Sequence, residues 1–173
     1  GRPLVVTPFL RTIDVPRQAV LHHTAALKLH IDAGHWGSFQ WQSTFQKDDR
    51  SEHRLRRTTR NIPAVKLLLS SWQHELLWHK TYARWHSEAG AKYMSLDNHS
   101  QPGTGVVPII PNFTQQAVSL FAVQQYRGNR WGGEVGLRAD HQRIHADGYD
   151  WIGERYGGKR RFANLSFLTG AYW

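Results

Sequence analysis

The sequence predicts an all-β fold, an antiparallel up-and-down transmembrane β-barrel segment of about seven strands, short turns on one side and long loops on the other. Three observations carry this. Residues alternate apolar and polar with a period of two in segment after segment, which places alternate side chains on opposite faces of a strand. The connections alternate in length. Turns at Gly34, His79 and Gly128 are short, whereas those around Arg54, Gly103 and Gly153 are long. Finally, no run of about 18 apolar residues exists, so spanning would fall to strands of about 9–11 residues.

The elements follow in chain order. Residues 1–18 hold Pro3, Pro8 and Pro16, show no sustained period and read as a loop. From Ala19 to Ile31 the chain alternates: Leu21, Ala25, Leu27 and Leu29 share one side, and His22, Thr24, Lys28 and His30 the other. Ala33-Gly34 is a tight turn, and Gly37, Phe39, Trp41 and Phe45 then oppose Gln40, Gln42, Thr44 and Gln46, completing a hairpin. Residues 47–61 read as a charged loop containing Arg50, Arg54 and Arg57. Ala64 to Trp78 is a third strand with blurred alternation, where Leu67-Leu68-Leu69 equally suits the start of a short helix. After a turn at His79-Lys80, Thr81 to Leu96 is the fourth strand. Residues 97–112, with Pro102-Gly103, Gly105, Pro108 and Pro111, form a long loop. Thr114 to Tyr126 is the fifth strand, Arg127-Gly128-Asn129 its turn.

The sixth and seventh strands alternate most clearly. Trp131, Val135, Leu137, Ala139 and His141 lie on one face; Glu134, Arg138, Asp140 and Gln142 on the other. Ala163, Leu165, Phe167, Ala171 and Trp173 likewise oppose Asn164, Ser166 and Gly170. Leu137, Val135, Leu165 and Phe167 are expected to face lipid. A polar, glycine-rich, aromatic loop, residues 147–159, separates the two strands.

This region resembles the barrel of a bacterial TonB-dependent outer-membrane receptor. The resemblance lies in Gly136-Leu137-Arg138-Ala139-Asp140, Asp147-Gly148-Tyr149-Asp150, Arg155-Tyr156-Gly157-Gly158 and the strand to Gly170-Ala171-Tyr172-Trp173. In that family such a strand rises to an extracellular loop and the next descends. The resemblance implies a receptor in the bacterial outer membrane that takes up a scarce ligand, most of all a ferric siderophore, or haem or zinc. It implies contact with outer-membrane lipid and lipopolysaccharide, and energy from a TonB-type coupling complex acting through a plug. Receptors of this kind have about 22 strands around a plugged lumen. Residues 1–173 show neither plug domain nor TonB-contacting box, so they are expected to be part of a single outer-membrane β-barrel domain. The chain opens on Gly1 without initiator methionine or signal peptide, and is expected to begin after processing or to be an internal piece.

Composition limits the alternatives. Lysine and arginine outnumber acids by 22 to 13, a net charge of +9, which fits nucleic acid, anionic lipid or an anionic ligand. Eight tryptophans, seven phenylalanines and six tyrosines fit a membrane-interface girdle or base stacking. A soluble basic β-protein that binds nucleic acid is thus the reading from another class. With no cysteine, disulfides and thiolate metal sites are excluded. Catalytic signatures are absent, and the protein is not expected to be an enzyme or to carry a cofactor. Pro102-Gly103-Thr104-Gly105 lacks the glycines and following lysine of a phosphate loop. His141 and His145 have helical chelate spacing but sit in a strand running into a loop, and His22 and His23 point to opposite faces.

Arg50, Arg54, Arg57, His99, Tyr149, Trp151 and Arg155 are the candidates for lining a ligand path from the long loops. The same charges also suit lipopolysaccharide phosphates. Trp36, Trp78, Trp131 and Trp173 fall near the short-turn ends, where an aromatic girdle is expected.

Overall fold

The computed structural model describes residues 16–53, 62–100, 110–150 and 152–173. It contains a 7-stranded antiparallel sheet in which each strand pairs with its neighbours in sequence. The strands are β1 (Arg17–Asp32), β2 (Ser38–His53), β3 (Val65–Tyr82), β4 (Trp85–Ser100), β5 (Asn112–Arg127), β6 (Gly132–Tyr149) and β7 (Arg155–Tyr172). A single 3-10 turn, Gly34–Trp36, joins β1 to β2. The sheet is open, with β1 and β7 at its edges. Each strand has 16 or 18 residues. At about 3.3 Å per residue that is over 50 Å, well beyond the hydrocarbon thickness of a bilayer, about 30 Å.

The register resolves two unlike faces. One row runs through Ile31, Phe39, Trp78, Ala89, Ala122, Leu137 and Phe167; the next through Leu29, Trp41, Leu76, Ala91, Leu120, Ala139 and Leu165. Every strand contributes an apolar side chain to both rows. The opposite face carries a row polar on every strand: Lys28, Gln42, Glu75, Lys92, Ser119, Asp140 and Asn164.

On β5 and β6 the apolar face is the more exposed one. Along β5, Thr114, Gln116, Val118, Leu120 and Ala122 on that face are exposed, while the intervening Gln115, Ala117, Ser119 and Phe121 are partly covered. The same alternation recurs in β6. Crowding on the polar side and openness on the apolar side is the pattern of a sheet that curls toward its polar face. On β7, an edge strand exposed on both faces, Leu165 is 75% and Phe167 81% exposed, and Ala64 is the one buried hydrophobic residue among those described. A water-soluble sandwich inverts this arrangement, with apolar faces packed inward.

Two glycines let rings pack closely on the polar face. Gly90 leaves room for the Phe121 ring: a Cβ there would lie 2.5 Å from Phe121 Cε1 and 2.8 Å from Leu77 Cδ2. The Tyr172 ring covers Gly132 on the neighbouring strand in the same way, with its Cζ 2.4 Å from where a Cβ would stand.

Several expected boundaries move. β2 continues to His53 through half of the expected charged loop, because Lys47 to Glu52 is polar on both faces and leaves no hydrophobic period to read. Ladder pairing with Ser70 to Val65 carries it instead. The turn expected at His79-Lys80 lies at Ala83-Arg84. Ala83 takes φ 51 there, a left-handed conformation usually supplied by glycine or asparagine, so composition gives no signal. Leu67-Leu68-Leu69 is strand, not helix. β4 reaches Ser100, which draws His99 out of the expected loop.

The expected loop at residues 147–159 shrinks to the link between Tyr149 and Arg155, no longer than that between Asp32 and Ser38. Asp150 closes it: its Oδ1 accepts from the backbone N–H groups of Ile152 at 3.0 Å and Glu154 at 2.8 Å. The connections from His53 to Val65 and from Ser100 to Asn112 remain the long ones. Most of their residues, with Arg54 and Gly103, lie outside the described residues, as do residues 1–15 of the expected N-terminal loop.

Candidate functional site

Three surfaces carry the candidate side chains: the polar face, the turn end, and the rim beyond the apolar rows. On the polar face Arg138 donates from Nε to Asp140 Oδ2 at 2.9 Å and from Nη2 to Oδ1 at 2.8 Å. Ser119 Oγ donates to the same carboxylate at 2.5 Å. Gln125 Nε2 donates to Glu134 Oε2 at 2.9 Å. His22 lies 3.8 Å from Asp48, and His79 3.4 Å from Glu88. These bonds cross-link the polar rows of this face, which also carries Leu77 and Phe121 beside Gly90.

At the turn end, aromatic rings gather. Trp85 and Tyr126 have centroids 5.0 Å apart, and Tyr126 and Trp131 4.7 Å. Trp78 donates its indole N–H to the Trp36 carbonyl at 2.8 Å. Indole and phenol rings combine an apolar body with a polar tip, which suits a boundary between hydrocarbon and water. Of the girdle residues expected from sequence, Trp36, Trp78 and Trp131 lie at this end, beside Trp85 and Tyr126, and Trp173 follows directly on β7.

The expected ligand-path residues are divided between the two faces. Arg50 is in β2 on the polar face, ion-paired with Glu52. His99, opposite Leu68, and the facing pair Tyr149 and Arg155 lie on the same side as the apolar rows. The sheet itself separates them from Arg50, so these four do not line one path. Arg54, Arg57 and Trp151 lie outside the described residues. Arg155 grips Asp147 through two bonds, Nε to Oδ1 at 2.8 Å and Nη2 to Oδ2 at 2.7 Å. Beyond the apolar rows, these bonds hold the Asp147 carboxyl below its ordinary range and raise the Arg155 guanidinium above its own.

The rim also holds a group that sequence reading missed. Arg143 stands opposite Arg161, and His145 opposite Lys159, all exposed on the apolar side of β6 and β7. The signal was available: continuing the period of two past His141 puts Arg143 and His145 on the Leu137 face. Reading the segment as the approach to a loop concealed it. His141 and His145, four residues apart on an extended strand, are separated by about 13 Å, too far to share a metal ion. Among the described residues, no group of three or more histidine, aspartate or glutamate side chains is placed to hold a metal ion. Among the described residues no helix is long and apolar enough to cross a membrane, which leaves crossing by strands open.

Comparison with protein-family models, curated proteins and solved structures finds no match to this chain.

Proposed function

We propose that this sheet is part of the wall of an outer-membrane β-barrel, and that the protein is a TonB-dependent receptor taking up a ferric siderophore. The observation that carries the barrel reading is the inverted sheet: apolar rows that run across every strand, exposed at Leu29, Leu76, Leu120, Leu137 and Leu165 and half-covered on β2 and β4, opposite a face with polar, hydrogen-bonded rows. Exposed apolar surface on this scale needs a cover, and hydrocarbon covers it without a second layer. The polar face then lines the lumen, and the Trp85–Tyr126–Trp131 cluster marks the periplasmic interface. The siderophore reading rests on the strand and loop resemblance around Gly136 to Asp150. Transport of this kind needs no bond-making chemistry. Ligand is captured outside, and a plug yields when the coupling complex pulls.

Two measurements on the full-length protein test this. Fractionation of cells should leave it in the outer membrane, extractable by detergent and not by high salt. Uptake of ⁵⁵Fe-siderophore should depend on it and on the proton gradient. Release by salt alone would support a soluble nucleic-acid binder. Outer-membrane residence with no iron uptake, but with haem or zinc uptake, would keep the barrel and change the cargo.

A further inference from the structure

The two faces of the sheet divide the charge of the strands unequally. On the polar face the acids Asp32, Asp48, Glu52, Glu75, Glu88, Glu134 and Asp140 offset the cations Lys28, Arg50, Lys92, Arg127, Arg138 and Arg160. Among the described strand residues, Asp49, Asp97 and Asp147 are the only acids on the apolar side, which carries Lys47, Lys66, Lys80, Arg143, Lys159 and Arg161 among its cations. The positive excess of the strands thus lies on the side away from the polar face. Charges on the polar face are also matched locally. Arg138 grips Asp140, Arg50 pairs with Glu52, and Glu75 stands directly opposite Lys92. Between them run uncharged amides: Gln40, Gln42, Gln46, Gln73, Gln115 and Gln142, all half-buried on this same face.

We propose that the iron chelate admitted along this wall is electrically neutral, with amide and hydroxyl groups on its exterior: an uncharged ferric trihydroxamate and not a trianionic ferric tricatecholate. The inference rests on the receptor reading and names the chemistry of the cargo. A wall of balanced charge sets up no field that concentrates an anion, and its carboxylates repel one. An anion that left water for this surface would meet cations already engaged by neighbouring acids, so its lost hydration would go uncompensated. A neutral chelate suffers no such loss. Primary amides offer both N–H donors and a carbonyl acceptor, so the glutamines can bond to the oxygens and hydroxyls of such a chelate without selecting for charge. Arg155, expected from sequence to line a ligand path, stands on the other face and is held by Asp147.

Uptake of ⁵⁵Fe by cells whose only receptor for these chelates is the full-length protein tests this, with an uncharged ferric trihydroxamate and a trianionic ferric tricatecholate as probes. At equal low concentration the trihydroxamate should enter about ten-fold faster, the lower end of what a charged cleft does for or against an ion. Its rate should stay nearly constant from low to high salt, because screening finds no charge on it to act upon. The double variant Glu75→Gln, Glu134→Gln, at matched outer-membrane levels, leaves the wall net positive and should narrow the preference several-fold. Equal or faster uptake of the tricatecholate by the unaltered protein would overturn the proposal and leave the receptor reading standing. So would trihydroxamate uptake that falls steeply with salt, or an unaltered preference in a correctly assembled glutamine variant. Uptake of neither chelate would remove the siderophore reading, and this inference with it.

Discussion

The indole N–H of Trp78 on β3 meets the backbone carbonyl of Trp36 in the turn between β1 and β2, at 2.8 Å and 42 residues apart in the chain. This bond ties the first hairpin to the third strand at the end where the aromatic rings gather. Trp78→Phe keeps the ring and removes the donor. The expected loss is about 1 kcal/mol of stability, the net worth of one such bond. Urea unfolding of the full-length protein in lipid vesicles measures it, and an unchanged midpoint would show the bond to be idle.

The two faces of β6 should respond oppositely to charge. Leu137→Arg places a cation among the exposed apolar rows and should cost roughly 2–4 kcal/mol if that face meets hydrocarbon. Arg138→Gln loosens an exposed pair with Asp140 and should cost about 0–1 kcal/mol. The amount of heat-modifiable protein in the outer membrane reports both. Equal effects from the two changes would mean that this sheet does not lie in a membrane.

Gly90 sits under the Phe121 ring, where an added Cβ would meet ring carbons and Leu77 at well under 3 Å. Gly90→Val should destabilise by about 1–3 kcal/mol through overpacking. Restoring space with the second change Phe121→Ala should recover part of that loss. Independent, additive losses in the pair would refute the contact.

Topology gives a sidedness test. Cysteines at Gly34 and Gly128 should be shielded from an impermeant maleimide in intact cells, and one at Gly153 should be labelled. The reverse pattern would turn the protein over in its membrane.

Acid should loosen the Tyr149–Arg155 hairpin. The Asp147 carboxyl is depressed by its bonds to Arg155, so it is charged over a wider acidic range folded than unfolded. The stability it lends is present in full above the ordinary carboxylate pKa, about 3.9, and fades as pH falls through the lower folded value. Proteolysis near Gly153 should therefore rise only below about pH 4, and Asp147→Asn should abolish that dependence. An acid-independent cleavage rate would show that the pair contributes nothing there.

The fold was legible wherever one face of a strand was apolar. β1, β5 and β6 fall within about two residues of expectation in their hydrophobic halves, because Leu27, Leu29, Val118, Leu120, Val135 and Leu137 print the period of two directly. Illegible were the polar halves: Lys47 to Glu52 alternates between faces without alternating in hydropathy, and Arg143 to Asp147 alternates with its polar residues moved onto the face that carries Leu137. Ladder hydrogen bonds hold those halves, and such bonds are indifferent to side-chain type. The candidate site suffered from the same blindness. His99, Tyr149 and Arg155 looked like loop residues, although each stands in a strand with a fixed facing. Once facing is known, Arg50 parts from them and Arg143 with Arg161 emerges. The turn at Ala83 escaped for a different reason: its positive φ falls on a residue type that seldom adopts one.

Strict pairing of each strand with its neighbour in sequence also bears on how the sheet comes into being. Every interface closes a short stretch of chain, so the loop entropy lost at each step is small and grows slowly with loop length. The meander can be laid down in the order the chain arrives, like rungs added to a ladder. At each stage the last strand offers a row of unmet N–H and C=O groups as a template for the next. The same row would recruit a stranger if the next strand were late. Speed of delivery, as much as final stability, then governs the yield of correctly assembled protein.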